Sequence, residues 1–164
     1  MNRTESLLNE LDEKVAKYLL VSRNCAQTSF VSLQAQFGLE GGAVLKALTP
    51  FPGIALRGET CGAVVGSLMA LGLVFGREEL DDQAGFAASL VRAREFCHRF
   101  EKELGSTMCC EIIDAEFGKK YDLSDPVQLA EWQAAGSLDK CTAVVQKATR
   151  IAAEIIISKG KLQP

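Results

Sequence analysis

The stretch RGETCGAVVGSLMALGLVFG, residues 57–76, decides how this chain folds. It carries no charge after Glu59, and Gly62, Gly66 and Gly72 interrupt its apolar residues. An uncharged run of this kind predicts a buried helix, although each glycine inside a helix costs about 1 kcal/mol relative to alanine. We therefore expect a compensating gain, namely close packing of this helix around a cysteine-lined site.

Small residues within the same stretch recur at helical spacing. Gly62, Gly66 and Ala70 form one row, and Ala63 and Ser67 form an adjacent row. Such rows allow another helix, or a cofactor, to approach the backbone closely. The pattern is compatible with a central helix beside a cofactor site, with plain helix–helix packing, and with a homodimer contact.

The composition of the 164-residue chain is typical of one globular domain, with 48% hydrophobic and 24% charged residues. Its net charge of −3 indicates no basic surface for nucleic acid or for an anionic membrane. The longest uncharged run has 17 residues, the short limit for a membrane span, and no second run exists to pair with it. The opening MNRTESLLNELDEK has acidic residues where a signal peptide needs an apolar core. We therefore expect a cytoplasmic protein that binds neither nucleic acid nor a membrane.

Apolar residues recur at helical spacing along nearly the whole chain, and no segment alternates with the period of a strand. Capping signals mark several helix starts, such as Asn24 with Gln27 and the pair Asp125-Pro126. A loop is expected from the turn-rich TPFPG to Gly58. The sequence predicts an all-α fold, a single-domain bundle of about six to eight helices over residues 1–164, with helices at about 7–19, 24–38, 41–48, 60–76, 82–104, 106–117, 125–136 and 138–158.

Six cysteines are many for a chain without an export signal, and in a reducing compartment such residues more often bind metals or act catalytically than form disulfides. Four of them follow a predicted helix cap: Cys25 after Asn24, Cys61 after Thr60, Cys109 after Ser106 and Cys141 after Ser137. The free N–H groups at a helix N-terminus favour the thiolate, which binds metals and attacks disulfides. Four such sulfurs in one place would suit iron–sulfur chemistry or zinc, whereas each alone is also typical of ordinary core packing.

The two other cysteines and the one histidine follow different patterns. Cys97 lies in the apolar stripe of a long helix, which favours core packing. Cys110, beside Cys109, is compatible with a spare thiol, a resolving cysteine or simple packing. His98 lies among charged residues and is expected to be solvated. One histidine excludes His-rich metal sites, and no C-x-x-C pair of the thioredoxin type occurs.

The succession of Cys25, GETCGAVVG at 58–66, GSTMCCEI at 105–112 and Cys141 resembles the C_GCAxxG_C_C family, which is described as redox-active. The resemblance covers about residues 20–158. Because that family is similar to the cysteine-bearing part of split-Soret cytochromes c, it implies an iron–sulfur cluster held by Cys25, Cys61, Cys109 and Cys141.

Two features depart from the family pattern. No C-x-x-C-H is present, so a c-type haem is not expected. Cys109 is followed by Cys110, where the family usually has a basic residue. The register favours Cys109 as the ligand, with Cys110 as its substitute.

The resemblance and the cysteine pattern together predict an electron-transfer protein with a cysteine-ligated iron–sulfur cluster of the 2Fe–2S type and an unknown redox partner protein. A thiol–disulfide enzyme or sensor that uses Cys61 and Cys109 as its redox pair is the second hypothesis. A zinc-binding module without turnover and a helical interaction domain with no cofactor are the remaining alternatives. The sequence leaves open whether the protein is an enzyme.

Overall fold

In a computed structural model, residues 3–160 are described, and they form nine α-helices and no β-strand. The helices are α1 (Arg3–Ser22), α2 (Cys25–Phe37), α3 (Gly42–Ala47), α4 (Gly53–Leu56), α5 (Gly62–Phe75), α6 (Gln83–Leu104), α7 (Cys109–Phe117), α8 (Pro126–Ala134) and α9 (Ser137–Ser158). The predicted all-α, single-domain fold is confirmed. The number of helices in this part of the chain exceeds the expected six to eight because of one short additional helix, α4.

Helix α4 lies in the segment that we expected to be a loop up to Gly58. Four consecutive residues have positive φ: Gly53 (+53°), Ile54 (+48°), Ala55 (+59°) and Leu56 (+61°). Each residue other than glycine costs roughly 1–2 kcal/mol in this left-handed region. The segment is therefore a strained left-handed turn inside the expected loop, and this strain was not predicted from the sequence.

Helix α5 lies at the centre of the bundle and packs against α2, α6 and α9, while α1 packs against α2 and α9. Side chains from all five helices fill the core, and the most completely buried of them include Leu11, Phe30, Val64, Phe100 and Ile155. Most of the first half of the uncharged stretch is thus buried inside the bundle, whereas Met69 and Leu73 further along α5 are exposed. Within residues 3–160, no helix combines the length and the apolarity needed to cross a bilayer.

Two glycines of α5 allow α2 to approach its backbone, as the small-residue row predicts. A Cβ atom on Gly62 would lie 2.5 Å from Cys25 Sγ, and one on Gly66 would lie 2.1 Å from the carbonyl oxygen of Ala26. Real Cβ contacts are almost never below 3.0 Å, so α2 fits only against glycine at these positions. Gly72 is different, because a Cβ atom there would meet nothing within 4 Å. The expectation of close packing is confirmed for Gly62 and Gly66 and wrong for Gly72, which lies on the exposed part of α5.

Candidate functional site

Four cysteines line one cavity of about 170 Å³ at one end of the bundle. Cys25 is the first residue of α2, Cys61 directly precedes α5, Cys109 is the first residue of α7, and Cys141 lies in α9. Cys61 is buried and the other three are half-buried. The four cysteines that the sequence singled out are therefore brought together from four separate parts of the chain.

Asn24 positions Cys25 at the start of α2. Its side-chain oxygen accepts a hydrogen bond from the backbone N–H of Gln27 at 2.9 Å, and its amide donates to the carbonyl oxygen of Thr49 at 3.0 Å. The first contact is the N-cap that the sequence predicted. The second contact holds the segment after α3 against the beginning of α2.

A short antiparallel pairing of the backbone positions Cys61 and Cys109. Thr60 and Met108 form an isolated β-bridge, the N–H of Cys61 donates to Thr107 at 2.8 Å, and the N–H of Cys109 donates to Glu59 at 2.7 Å. Because the paired residues are extended, helices α5 and α7 begin later in the sequence than predicted. The N-caps are Cys61 itself and Met108, so the predicted caps at Thr60 and Ser106 were wrong by one and two residues.

Cys141 lies further into its helix than predicted. Helix α9 begins at Ser137 because Gly136, with φ of +92°, supplies the cap, and Cys141 is the fifth residue of the helix. The free N–H groups of a helix end at its first turn. The expectation that Cys141 occupies the first turn was wrong, and its thiol gains nothing from unpaired N–H groups of α9.

The thiols of this cavity differ in acidity. Cys25 donates a hydrogen bond to Cys61, and this bond together with the backbone N–H groups of Ala63 and Val64 lowers the pKa of Cys61. The same bond, followed by burial, raises the pKa of Cys25. Cys61 is therefore the more acidic thiol of this pair, and Cys25 holds its proton more tightly.

The two remaining thiols of the cavity stay protonated. Burial is the main cause that raises the pKa of Cys109, and burial raises the pKa of Cys141 to about 12. Thiolate stabilisation by a helix N-terminus, which the sequence predicted for all four cysteines, thus operates at Cys61 alone. At the other three, removal from water and the neighbouring sulfurs have the larger effect.

The rest of the cavity wall is mainly apolar, and Arg23 is the one charged side chain among its described lining residues. The strained turn of α4 contributes Gly53, where a Cβ atom would lie 3.4 Å from Cys109 Sγ. Backbone strain of this kind is concentrated at functional sites. Helix α8 contributes Trp132, whose ring Nε1 is enclosed and has no hydrogen-bond partner among the described residues. Neither the turn of α4 nor the role of Trp132 was expected from the sequence.

The donor set fits a group larger than one metal ion. Among residues 3–160, no three His, Cys, Asp or Glu side chains form a group arranged to hold a single ion. The cavity that the four sulfurs share is, however, similar in volume to an engineered protein cavity of about 150 Å³ that binds benzene. Four cysteine sulfurs, space for a group of several atoms and an unpartnered N–H donor are all compatible with an iron–sulfur cluster.

The remaining candidates lie elsewhere. Cys110 lines a separate, more open pocket together with Arg57, Lys120 and Tyr121. Cys97 is half-buried and packs against the core, as expected, and His98 is exposed. The cavity therefore contains Cys109 and not its neighbour Cys110.

No curated protein and no protein of solved structure shows significant similarity to this chain. One family profile does match: "Putative redox-active protein (C_GCAxxG_C_C)", over residues 23–155. The match covers more than half of the chain and includes all four cysteines of the cavity. The chain therefore belongs to the C_GCAxxG_C_C family.

Proposed function

We propose that this protein transfers electrons through an iron–sulfur cluster held by Cys25, Cys61, Cys109 and Cys141. The observation that carries the proposal is that four cysteine sulfurs from separate parts of the chain line one mainly apolar cavity. Cysteine thiolates are the usual ligands of iron–sulfur clusters, and the family is described as redox-active. A bound cluster would supply reversible electron uptake, and the electrons would be exchanged with a partner protein.

The residues of the cavity have distinct tasks in this proposal. Cys61, whose pKa is lowered by the hydrogen bond from Cys25 and by the backbone N–H groups of Ala63 and Val64, is the thiol that loses its proton most readily when iron binds. Cys25, Cys109 and Cys141 must each lose a proton on binding, because the thiolate is the ligand form. The apolar side chains of the wall exclude water from the sulfurs.

Within residues 3–160, the lack of a preformed group for a single ion favours a cluster over the zinc alternative. Four thiolates around one zinc ion, each at a Zn–S distance of about 2.3 Å, must lie roughly 4 Å from one another. No such preformed group exists among the described residues. In a two-iron cluster, each iron would need only two of the cysteine sulfurs that close together, so the four sulfurs need not all converge on one ion.

A dithiol–disulfide switch is the second candidate, and the hydrogen bond between Cys25 and Cys61 favours it. In that reaction the Cys61 thiolate attacks a disulfide of a partner protein and releases one partner thiolate. The sulfur of Cys25, after losing its proton, then displaces the second partner thiol. The Cys25–Cys61 disulfide forms as the partner disulfide is reduced to two thiols.

The pair first expected from the sequence, Cys61 with Cys109, has a less favourable geometry. Thr107 lies opposite Cys61 in the backbone pairing, which makes Cys109 a diagonal neighbour. Diagonal neighbours in an antiparallel pair are separated by about 7–8 Å, at or beyond the usual limit for a disulfide. Cys25 is therefore the better partner for Cys61.

Anaerobic reconstitution with iron and sulfide tests the proposal. We expect the wild-type chain and the matched control Cys97→Ala to retain iron and acid-labile sulfide in equal ratio after desalting. Cys141→Ala should lose most of both. Absence of iron and sulfide from the wild type, or full retention by Cys141→Ala, would count against the cluster. Formation of a Cys25–Cys61 disulfide on oxidation would then favour the second candidate.

A further inference from the structure

Helix α8 covers the cysteine cavity and is held to the bundle by few contacts. It packs on α9, and none of its own residues is fully buried. Its outer face is tied to the preceding loop by the Lys119–Glu131 ion pair at 3.1 Å and by the N–H of Asp122, which donates to Gln128 at 3.0 Å. The inner face presents Leu129 and Trp132 to the cavity.

Trp132 is a half-buried lining residue of this cavity and carries an unsatisfied donor. The ring lies in edge contact with Phe117, with the ring centroids 6.4 Å apart. Its Nε1 is buried and has no hydrogen-bond partner among residues 3–160. A buried tryptophan N–H usually finds a partner, and leaving one unpaired costs about 1–3 kcal/mol. The site is therefore incomplete without an acceptor.

The chemistry of the cavity identifies the class of acceptor. The cavity wall is apolar except for the four cysteine sulfurs, the charged Arg23 and a few neutral polar groups such as Ser137 and Gln133. A protonated thiol is only a weak acceptor. Iron binding would convert all four thiols into thiolates and add sulfide, so a bound cluster would bring further anionic sulfur acceptors into the cavity.

We propose that Trp132 donates its indole N–H to a sulfur of the bound cluster and thereby raises the reduction potential of the cluster. This inference rests on the proposed function. Hydrogen bonds to the sulfurs are among the factors that set the potential of an iron–sulfur cluster. The donor offsets negative charge on sulfur, and that charge grows when the cluster gains an electron. Trp132 acts on the reduction potential directly, through this hydrogen bond.

The test compares the reconstituted wild type with Trp132→Phe, which keeps an aromatic ring in the cavity and removes the donor. Tyr121→Phe is the matched control, since it alters an aromatic neighbour of Phe117 that lies outside the cysteine cavity. Midpoint potentials are measured by redox titration of the visible absorption. We expect Trp132→Phe to favour the oxidised state about tenfold, a fall of about 59 mV for one electron. The potential of Tyr121→Phe should equal that of the wild type.

A second measurement uses the wild type alone and does not depend on how well the variant folds. Trp132 is the only tryptophan of the chain, so its indole N–H gives a single cross-peak in a ¹H–¹⁵N spectrum. We expect this peak to shift or broaden in proportion to the iron bound. An unmoved peak in loaded protein, or equal potentials in loaded wild type and loaded Trp132→Phe, overturns this inference and leaves the cluster in place. A wild type that takes up no iron or sulfide refutes the proposed function, and this inference with it.

Discussion

The close approach of α2 to α5 makes Gly66→Ala a sharp test of the fold around the site. The added Cβ atom would lie 2.1 Å from both the carbonyl oxygen of Ala26 and the hydroxyl of Ser29. Ordinary contact begins at about 3.4 Å, and the first obstacle is backbone. The two helices must therefore move apart for the methyl group to fit.

The magnitude follows from three contributions. Overpacking of a filled core costs about 1–3 kcal/mol. The Ser29 hydroxyl, which donates to the carbonyl oxygens of Cys25 and Ala26 at 3.0 and 3.1 Å, would be displaced, and a lost hydrogen bond costs about 1 kcal/mol. Alanine in place of glycine returns about 1 kcal/mol of helix propensity. We expect Gly66→Ala to lower the free energy of unfolding by about 1–3 kcal/mol.

Gly72→Ala is the matched control, because it makes the same change in the same helix where a Cβ atom meets nothing within 4 Å. It should raise the free energy of unfolding by about 0.5–1 kcal/mol. Urea unfolding of the reduced, metal-free chains, followed by circular dichroism, gives both values if the slope with urea stays constant. Equal stability of the two variants, or a more stable Gly66→Ala, would refute the reasoning.

Two further predictions concern the turn of α4 and the thiol of Cys141. Ala55→Gly should stabilise the chain by about 1 kcal/mol, because Ala55 has φ of +59° and the relief of strain exceeds the entropic cost of glycine. The control Ala88→Gly, at an exposed position of α6, should instead destabilise the chain by about 1 kcal/mol. Thermal unfolding measures the stability of both variants. A destabilised Ala55→Gly would contradict the strained turn. Burial raises the pKa of Cys141 to about 12 in the folded, metal-free chain, whereas a cysteine in the unfolded chain has a pKa of about 8.5. The stability that the protonated Cys141 thiol contributes is therefore complete below about pH 8.5 and is lost as the pH rises towards 12. Urea unfolding between pH 8 and 11 should therefore show a shallower loss of stability for Cys141→Ala than for the wild type, and parallel losses would oppose this assignment.

Local signals in the sequence were sufficient for much of the fold. Asn24 and Gly38 are the observed caps of α2, Asp125 is the cap of α8, and Gly76 ends α5, each where the sequence predicted. These caps act within one helix turn, so neighbouring residues determine them. The glycine row of α5 also predicted a close helix contact, since only a missing side chain makes such an approach possible.

The features that the sequence did not predict depend on distant contacts. The pairing of Thr60 with Met108 joins residues far apart in the chain, and it moves the start of α5 and α7 past the capping residues that we expected. The left-handed turn of α4 contains three residues that disfavour this conformation, so local propensity argues against it. In the sequence, Trp132 is notable only as the single tryptophan. That its indole N–H has no partner among the described residues follows only from the packing of α8 over the cavity.

Native mass spectrometry of the chain, prepared without exposure to air, tests most directly whether the four sulfurs act as one ligand set. We predict a mass that exceeds that of the polypeptide by the iron and sulfide of one cluster, with the ligand thiols deprotonated. The increment should be absent in Cys109→Ala and retained in Cys110→Ala, which faces the other pocket. The mass of the bare chain, or a mass lower by the two hydrogens of a disulfide, in the reconstituted wild type would contradict the account.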